Sequence, residues 1–100
     1  MTVGGNDFLS TLEAIIQNRL DDPRPDSYTA RLAEGGKLRA AKKLAEEAAE
    51  VALAAVAESP QRLTEESADL LYHLLVLLRL RGLSLKSVVA ELEGRHRPAP

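Results

Sequence analysis

Residues 37–80 read KLRAAKKLAEEAAEVALAAVAESPQRLTEESADLLYHLLVLLRL, and the fold is decided in this stretch. Ala, Leu, Glu, Lys and Arg, all good helix formers, fill it almost without interruption. The one break is Ser59-Pro60. Proline at a first helical position sacrifices no hydrogen bond, and a serine before it can cap the new helix. The pair therefore ends one helix and starts the next, predicting long helices over residues 37–58 and 60–80. On the first, Leu38, Ala41, Ala45, Ala48, Ala52 and Ala55 form an apolar stripe, with Leu44, Val51 and Val56 at its edges. The second is polar at its start and apolar nearly all round over residues 70–78. The short link makes the two antiparallel neighbours.

Outward from this pair, Phe8, Leu9, Leu12, Ile15 and Ile16 recur at helical spacing and predict a first helix over residues 7–20, with Asn6 as its N-cap. Pro23 and Pro25, among Asp21, Asp22 and Asp26, stop it. Ser27 can cap a short helix over residues 28–34 that Gly35-Gly36 ends. Beyond residue 80, Gly82 ends the fourth helix. Ser84 caps a fifth carrying Leu85, Val88, Val89 and Leu92, with Gly94 at its end. Residues 1–95 thus read as one all-α domain, and residues 96–100 as a loose tail.

At 100 residues the chain can bury only a thin core, and one Phe, two Tyr and no Trp leave that core to Leu, Ile, Val and Ala. A helix apolar on every side must be covered on every side, and so short a chain has few elements to do it. A helical bundle completed by homodimerisation is the expected architecture. A net charge of -2 argues against non-specific nucleic-acid binding. With no cysteine, disulfides and thiolate metal sites are excluded. No stretch resembles a signal peptide or spans a bilayer, so a soluble, cytoplasmic protein is expected.

The chemistry lies in two acidic motifs. Glu46-Glu47-Ala48-Ala49-Glu50 reads EExxE on the third helix, and Glu66-Ser67-Ala68-Asp69 reads ExxD on the fourth. Residues three apart share a helix face, so Glu47 with Glu50, and Glu66 with Asp69, project as pairs. Antiparallel packing turns the pairs towards each other. Carboxylates so placed repel unless a cation neutralises them, and Mg²⁺, which takes oxygen ligands and bridges to phosphates, suits the task. His73 falls on the same side of the fourth helix and reads as a hydrogen-bonded core residue. Tyr28 fits either packing or stacking on a base. Lys42 and Lys43 fit a solvated pair, but Lys43 lies on the acid face and could reach a phosphate as a point charge.

The runs LEAIIQNR (residues 12–19), SYTA (27–30), KLAEEAAE (43–50, with Gly36 before it) and ESADLLYH (66–73) resemble the phosphoribosyl-ATP pyrophosphohydrolase family. That family belongs to the all-α, MazG-like nucleotide pyrophosphohydrolases. The resemblance spans roughly residues 8–95. It implies Mg²⁺-dependent hydrolysis of 1-(5-phosphoribosyl)-ATP to 1-(5-phosphoribosyl)-AMP and pyrophosphate in histidine biosynthesis, with Mn²⁺ able to substitute. It implies Glu47, Glu50, Glu66 and Asp69 as metal ligands, and Glu46 as the acid that orients or deprotonates the attacking water. Lys43 and Arg19 are then candidates for phosphate, and Ser27, Tyr28 and Thr29 for the nucleotide or ribose. Two other readings use the same residues. One is a house-cleaning hydrolase of nucleoside triphosphates; the other is a non-catalytic dimerisation module whose acids form a solvated face.

Overall fold

Three serines set where helices begin. Ser27 Oγ accepts the Ala30 N–H at 3.1 Å, Ser59 Oγ accepts the Arg62 N–H at 3.2 Å, and Ser84 Oγ accepts the Ser87 N–H at 3.3 Å. Each satisfies a donor that the first helical turn leaves without a partner. In the computed structural model, which describes residues 5–98, the chain forms α1 (Gly5–Asp21), α2 (Tyr28–Glu34), α3 (Gly36–Ala57), α4 (Pro60–Leu80) and α5 (Leu85–His96). No strand occurs among the described residues, and the fold is all-α. The end of α4 is as sharply set as its start. Gly82 has φ +73°, its N–H donates to Arg79 O, and the Leu83 N–H donates to Leu78 O at 2.8 Å. These two bonds close the last turn through a left-handed glycine.

Two boundaries differ from expectation. Asn6 lies inside α1 instead of capping it, because the helix already runs from Gly5; its side chain lies outside the described residues. Gly94 does not end α5, which continues through Arg95 to His96. A glycine costs a helix only about 1 kcal/mol, and Arg95 pairs with Glu91 one turn back at 3.0 Å. The expected loose tail is therefore shorter at its start, and residues 99 and 100 lie outside the described part.

Helices α3 and α4, joined by Glu58 and Ser59 alone, make the largest helix pair; α1 packs on α4 and α2, and α2 on α3. The core is Ile16, Leu32, Ala40, Leu75 and Val76, with Leu9, Leu12, Leu20, Tyr72, Leu77, Leu80 and Leu85 packed around it. Phe8, placed in the first helix's apolar face by its spacing, is instead exposed. No residue of α5 is buried. That helix is fastened at its start, where the Leu85 N–H donates to Glu13 Oε2 at 2.7 Å, while Arg79 Nε, donating to Gln17 Oε1 at 2.9 Å, ties the end of α4 to α1.

The rotation of α3 is the main departure from the sequence reading. Its buried seam is Ala40, Glu47 and Ala54, with Leu44 and Val51 half-buried beside them. Leu38, Ala41, Ala45, Ala48, Ala52 and Ala55, the expected core stripe, are all exposed. A helix apolar around more than half its circumference can bury only one arc within a single chain. The arc chosen here uses the larger Leu44 and Val51 to fill space, and Ala40 and Ala54 to let neighbours approach closely. This rotation carries Glu47 into the α3–α4 interface.

Candidate active site

The antiparallel α3–α4 pair brings Glu47, Glu66 and Asp69 together, each offering one carboxylate oxygen within 4.8 Å of the others. Glu47 and Glu66 are buried and Asp69 is exposed, so the group sits at the edge of the interface. Glu50, on the exposed side of α3, lies beside Glu66. Two carboxyl groups can hydrogen-bond only by sharing a proton. That contact with Glu50, followed by burial, pushes the Glu66 pKa above the ordinary carboxylate range. Glu66 is 7% exposed, and its Oε1 is buried with no hydrogen-bond donor.

Cations stand at the two sides of this group. Lys43 Nζ lies 3.6 Å from Glu46 and 3.9 Å from Glu47. Arg62 bonds the other Glu66 oxygen, Oε2, and also reaches Glu65 at 2.8 Å and Glu58 at 3.4 Å. The Arg62 pKa is raised by Glu65 and Glu58 and then by the charge of Glu66. Glu65 in turn is lowered, first by the Gln61 amide at 2.9 Å and then by Arg62. The sequence reading did not single out Arg62. Its signal is the four-residue spacing to Glu66, which places the guanidinium one turn before the acid on the same face.

An orphaned, buried oxygen among neighbouring carboxylates is costly unless a cation meets it. The donor set is all hard oxygen, which suits Mg²⁺ rather than zinc. Two oxygens on one Mg²⁺ lie at most about 4.2 Å apart, twice the bond length. A group already within 4.8 Å needs only small side-chain rotations to close to that span. The residues present therefore fit the ion.

A second set of candidates gathers at the C-terminal end of α1. Arg19, Ser27 and Tyr28 line a cleft of about 360 Å³ with Asn18, Asp22, Arg24 and Asp26. A relay of hydrogen bonds joins this cleft to the acids. His73 Nδ1 lies 2.7 Å from the Asp69 carbonyl, to which it can only donate. Its Nε2 lies 2.9 Å from the Tyr28 hydroxyl. His73 is thus buried and hydrogen-bonded, as expected of a polar residue in the core. Tyr28 packs edge-on against it and tilted against Tyr72, while keeping part of its ring exposed to the cleft. Thr29 does not line the cleft: it is fully buried, and its hydroxyl meets that of Tyr72.

Comparison with known proteins finds relatives over most of the chain. Residues 9–96 match the family described as phosphoribosyl-ATP pyrophosphohydrolase. The chain is 54% identical over 91 residues to the phosphoribosyl-ATP pyrophosphatase of Pyrobaculum islandicum, covering 91% of this chain and 97% of that one. With the Pyrobaculum aerophilum protein of the same name it shares 57% over 84 residues, covering 84% of this chain and 89% of the relative. It is also 52% identical over 90 residues to the histidine biosynthesis bifunctional protein HisIE of Xylella fastidiosa, covering 90% of this chain but 44% of that protein. The similarity to the bifunctional protein is therefore confined to a part of it.

Proposed function

Because the chain belongs to the phosphoribosyl-ATP pyrophosphohydrolase family, we propose that it hydrolyses 1-(5-phosphoribosyl)-ATP to 1-(5-phosphoribosyl)-AMP and pyrophosphate, in histidine biosynthesis, with Mg²⁺ or Mn²⁺ held by Glu47, Glu50, Glu66 and Asp69. The observation that carries the metal assignment is the buried, donorless Glu66 Oε1 among three further acids. Among the described residues no helix is long and apolar enough to cross a membrane, and the cysteine-free composition suits the cytoplasm, where this reading places the enzyme.

When bound, the ion supplies charge neutralisation on the phosphate oxygens and a lowered pKa for a coordinated water. The chain's own residues do the rest. Lys43, tethered beside Glu46 and Glu47, is placed to contact a phosphate of the leaving pyrophosphate. Glu46, half-exposed next to the metal ligands, takes the proton from the attacking water or orients it. Arg62 fixes one Glu66 oxygen and so leaves the other to the ion. Arg19, Ser27 and Tyr28 line the cleft offered to the nucleotide or ribose. No nucleophilic side chain is required, since water attacks directly.

The deciding assay is pyrophosphate release from phosphoribosyl-ATP with and without chelator. We expect Mg²⁺-dependent release, abolished by chelator, and a strong preference over ordinary nucleoside triphosphates. Equal turnover of the triphosphates would transfer the site to a house-cleaning hydrolase. No divalent-cation binding by calorimetry would favour the non-catalytic module.

The same reading includes a homodimer. It was expected from the apolar run of α4, where Leu71 is exposed; Ala41, Ala45, Ala48, Ala52 and Ala55 of α3, with Leu53 and Val56, are exposed too and add apolar surface that a second copy would cover. Sedimentation equilibrium should give about twice the 10.8 kDa chain mass. A monomer at micromolar concentration would remove the dimer.

A further inference from the structure

The first turns of α3 carry a cleft of about 460 Å³, lined by Gly35, Leu38, Arg39, Lys42, Lys43 and Glu46, that the roles assigned above use only at its edge. Three cations face one acid there. Lys43 is committed to Glu46 and Glu47, whereas Arg39 and Lys42 have no acidic partner among the described residues. Arg39, Lys43, Glu46 and Glu50 follow one another at four, three and four residues, so Arg39 continues the ridge that bears the acids. It precedes Glu47 by eight residues, roughly 12 Å of helix axis. Phosphates joined in an anhydride are only a few ångström apart, and Lys43 already serves the position next to the ligands. A free cation pair further along the ridge matches a second, separate anion.

We propose that this cleft is a second phosphate subsite, in which Arg39 and Lys42 hold the phosphomonoester of the substrate's phosphoribosyl arm. The inference rests on the substrate reading above, because 1-(5-phosphoribosyl)-ATP carries a triphosphate at one end and a phosphomonoester at the other. Arg39 offers a planar fork of donors to phosphate and Lys42 a point charge. Leu38, 83% exposed, gives the cleft an apolar wall against which the ribose ring can lie. The subsite would make Arg39 and Lys42 specificity residues, since ATP itself has nothing to place there.

The test compares two ligands that differ only by the phosphoribosyl group. The Mg²⁺-loaded protein is titrated calorimetrically with 1-(5-phosphoribosyl)-AMP and with AMP. The wild type should prefer the first, and Arg39→Gln combined with Lys42→Gln should weaken it tenfold or more, in the range of lost charge-assisted bonds, while AMP binding stays within about twofold. Equal weakening of both ligands, or of neither, overturns the subsite. Both positions are exposed and Gln keeps similar helix propensity. Should the double variant still fail to fold, the wild type decides: ribose 5-phosphate and pyrophosphate binding together supports the subsite, and mutual exclusion overturns it. A wild type that releases no pyrophosphate from phosphoribosyl-ATP would instead sink the substrate reading.

Discussion

Glu47→Gln should cut Mg²⁺-dependent pyrophosphate release by at least about 10²-fold and leave the helices in place. A metal ion contributes several kcal/mol to stabilising a phosphoryl-transfer transition state, and every 1.36 kcal/mol is tenfold in rate. Glu47 is the acid of EExxE that is buried in the α3–α4 seam, within 4.8 Å of Glu66 and Asp69 at the oxygens. Gln keeps its shape and packing but brings a weaker, neutral ligand. The effect on stability should have the opposite sign when metal is removed. With chelator present, the wild type holds clustered carboxylates that repel, and Glu47→Gln relieves part of that repulsion. Its only ion-pair partner among the described residues is Lys43 at 3.9 Å, a contact worth little because the lysine is part-exposed. Circular dichroism melts in chelator should therefore show Tm unchanged or raised, and melts in Mg²⁺ should show the wild type gaining more from the ion than the variant. Glu50→Gln should behave alike in turnover. Wild-type turnover in Glu47→Gln would sink its assignment as a ligand, whatever the melts show.

Leu75→Ala should destabilise the chain by about 3–4 kcal/mol, the middle of what buried leucines cost. Leu75 is 1% exposed and packs with Ile16, Leu32, Ala40 and Val76 in a core with few other members. A domain's whole stability is about 5–15 kcal/mol, so most of the margin of a small one is at stake. For a chain of this length that is a fall in Tm of roughly 12–32 °C. Leu92→Ala on the half-exposed face of α5 should cost within about 1 kcal/mol. Equal Tm losses for the two, measured at one protein concentration, would mean that the core lies elsewhere.

Local signals carried much of this fold. Ser27, Ser59 and Ser84 cap the helices they were expected to start, and Pro60 stands at the first position of α4. These effects act within one turn, so spacing alone reveals them. The acidic motifs were legible for the same reason: three residues along a helix bring two carboxylates to one face, and a short link turns the two helices together. Arg62 could have been read at its four-residue spacing from Glu66. Tyr72 could not, because its hydroxyl meets Thr29 across 43 positions of chain.

The sequence by itself thus determined the helices, most of their ends, and two acidic pairs at spacings that share a helix face, because each follows from backbone geometry within a few residues. Only the tertiary structure decided which arc of α3 is buried. Its apolar surface exceeds what one chain can cover, so periodicity alone pointed to the alanine stripe, and packing chose Ala40, Leu44, Val51 and Ala54 instead. That choice buried Glu47, and the packing of the remaining helices buried Glu66, left its Oε1 without a donor, tied His73 between Asp69 and Tyr28, and withdrew Thr29 from the surface. Whether an acid is a solvated charge or part of a cation site depends on what surrounds it, and those surroundings come from distant parts of the chain.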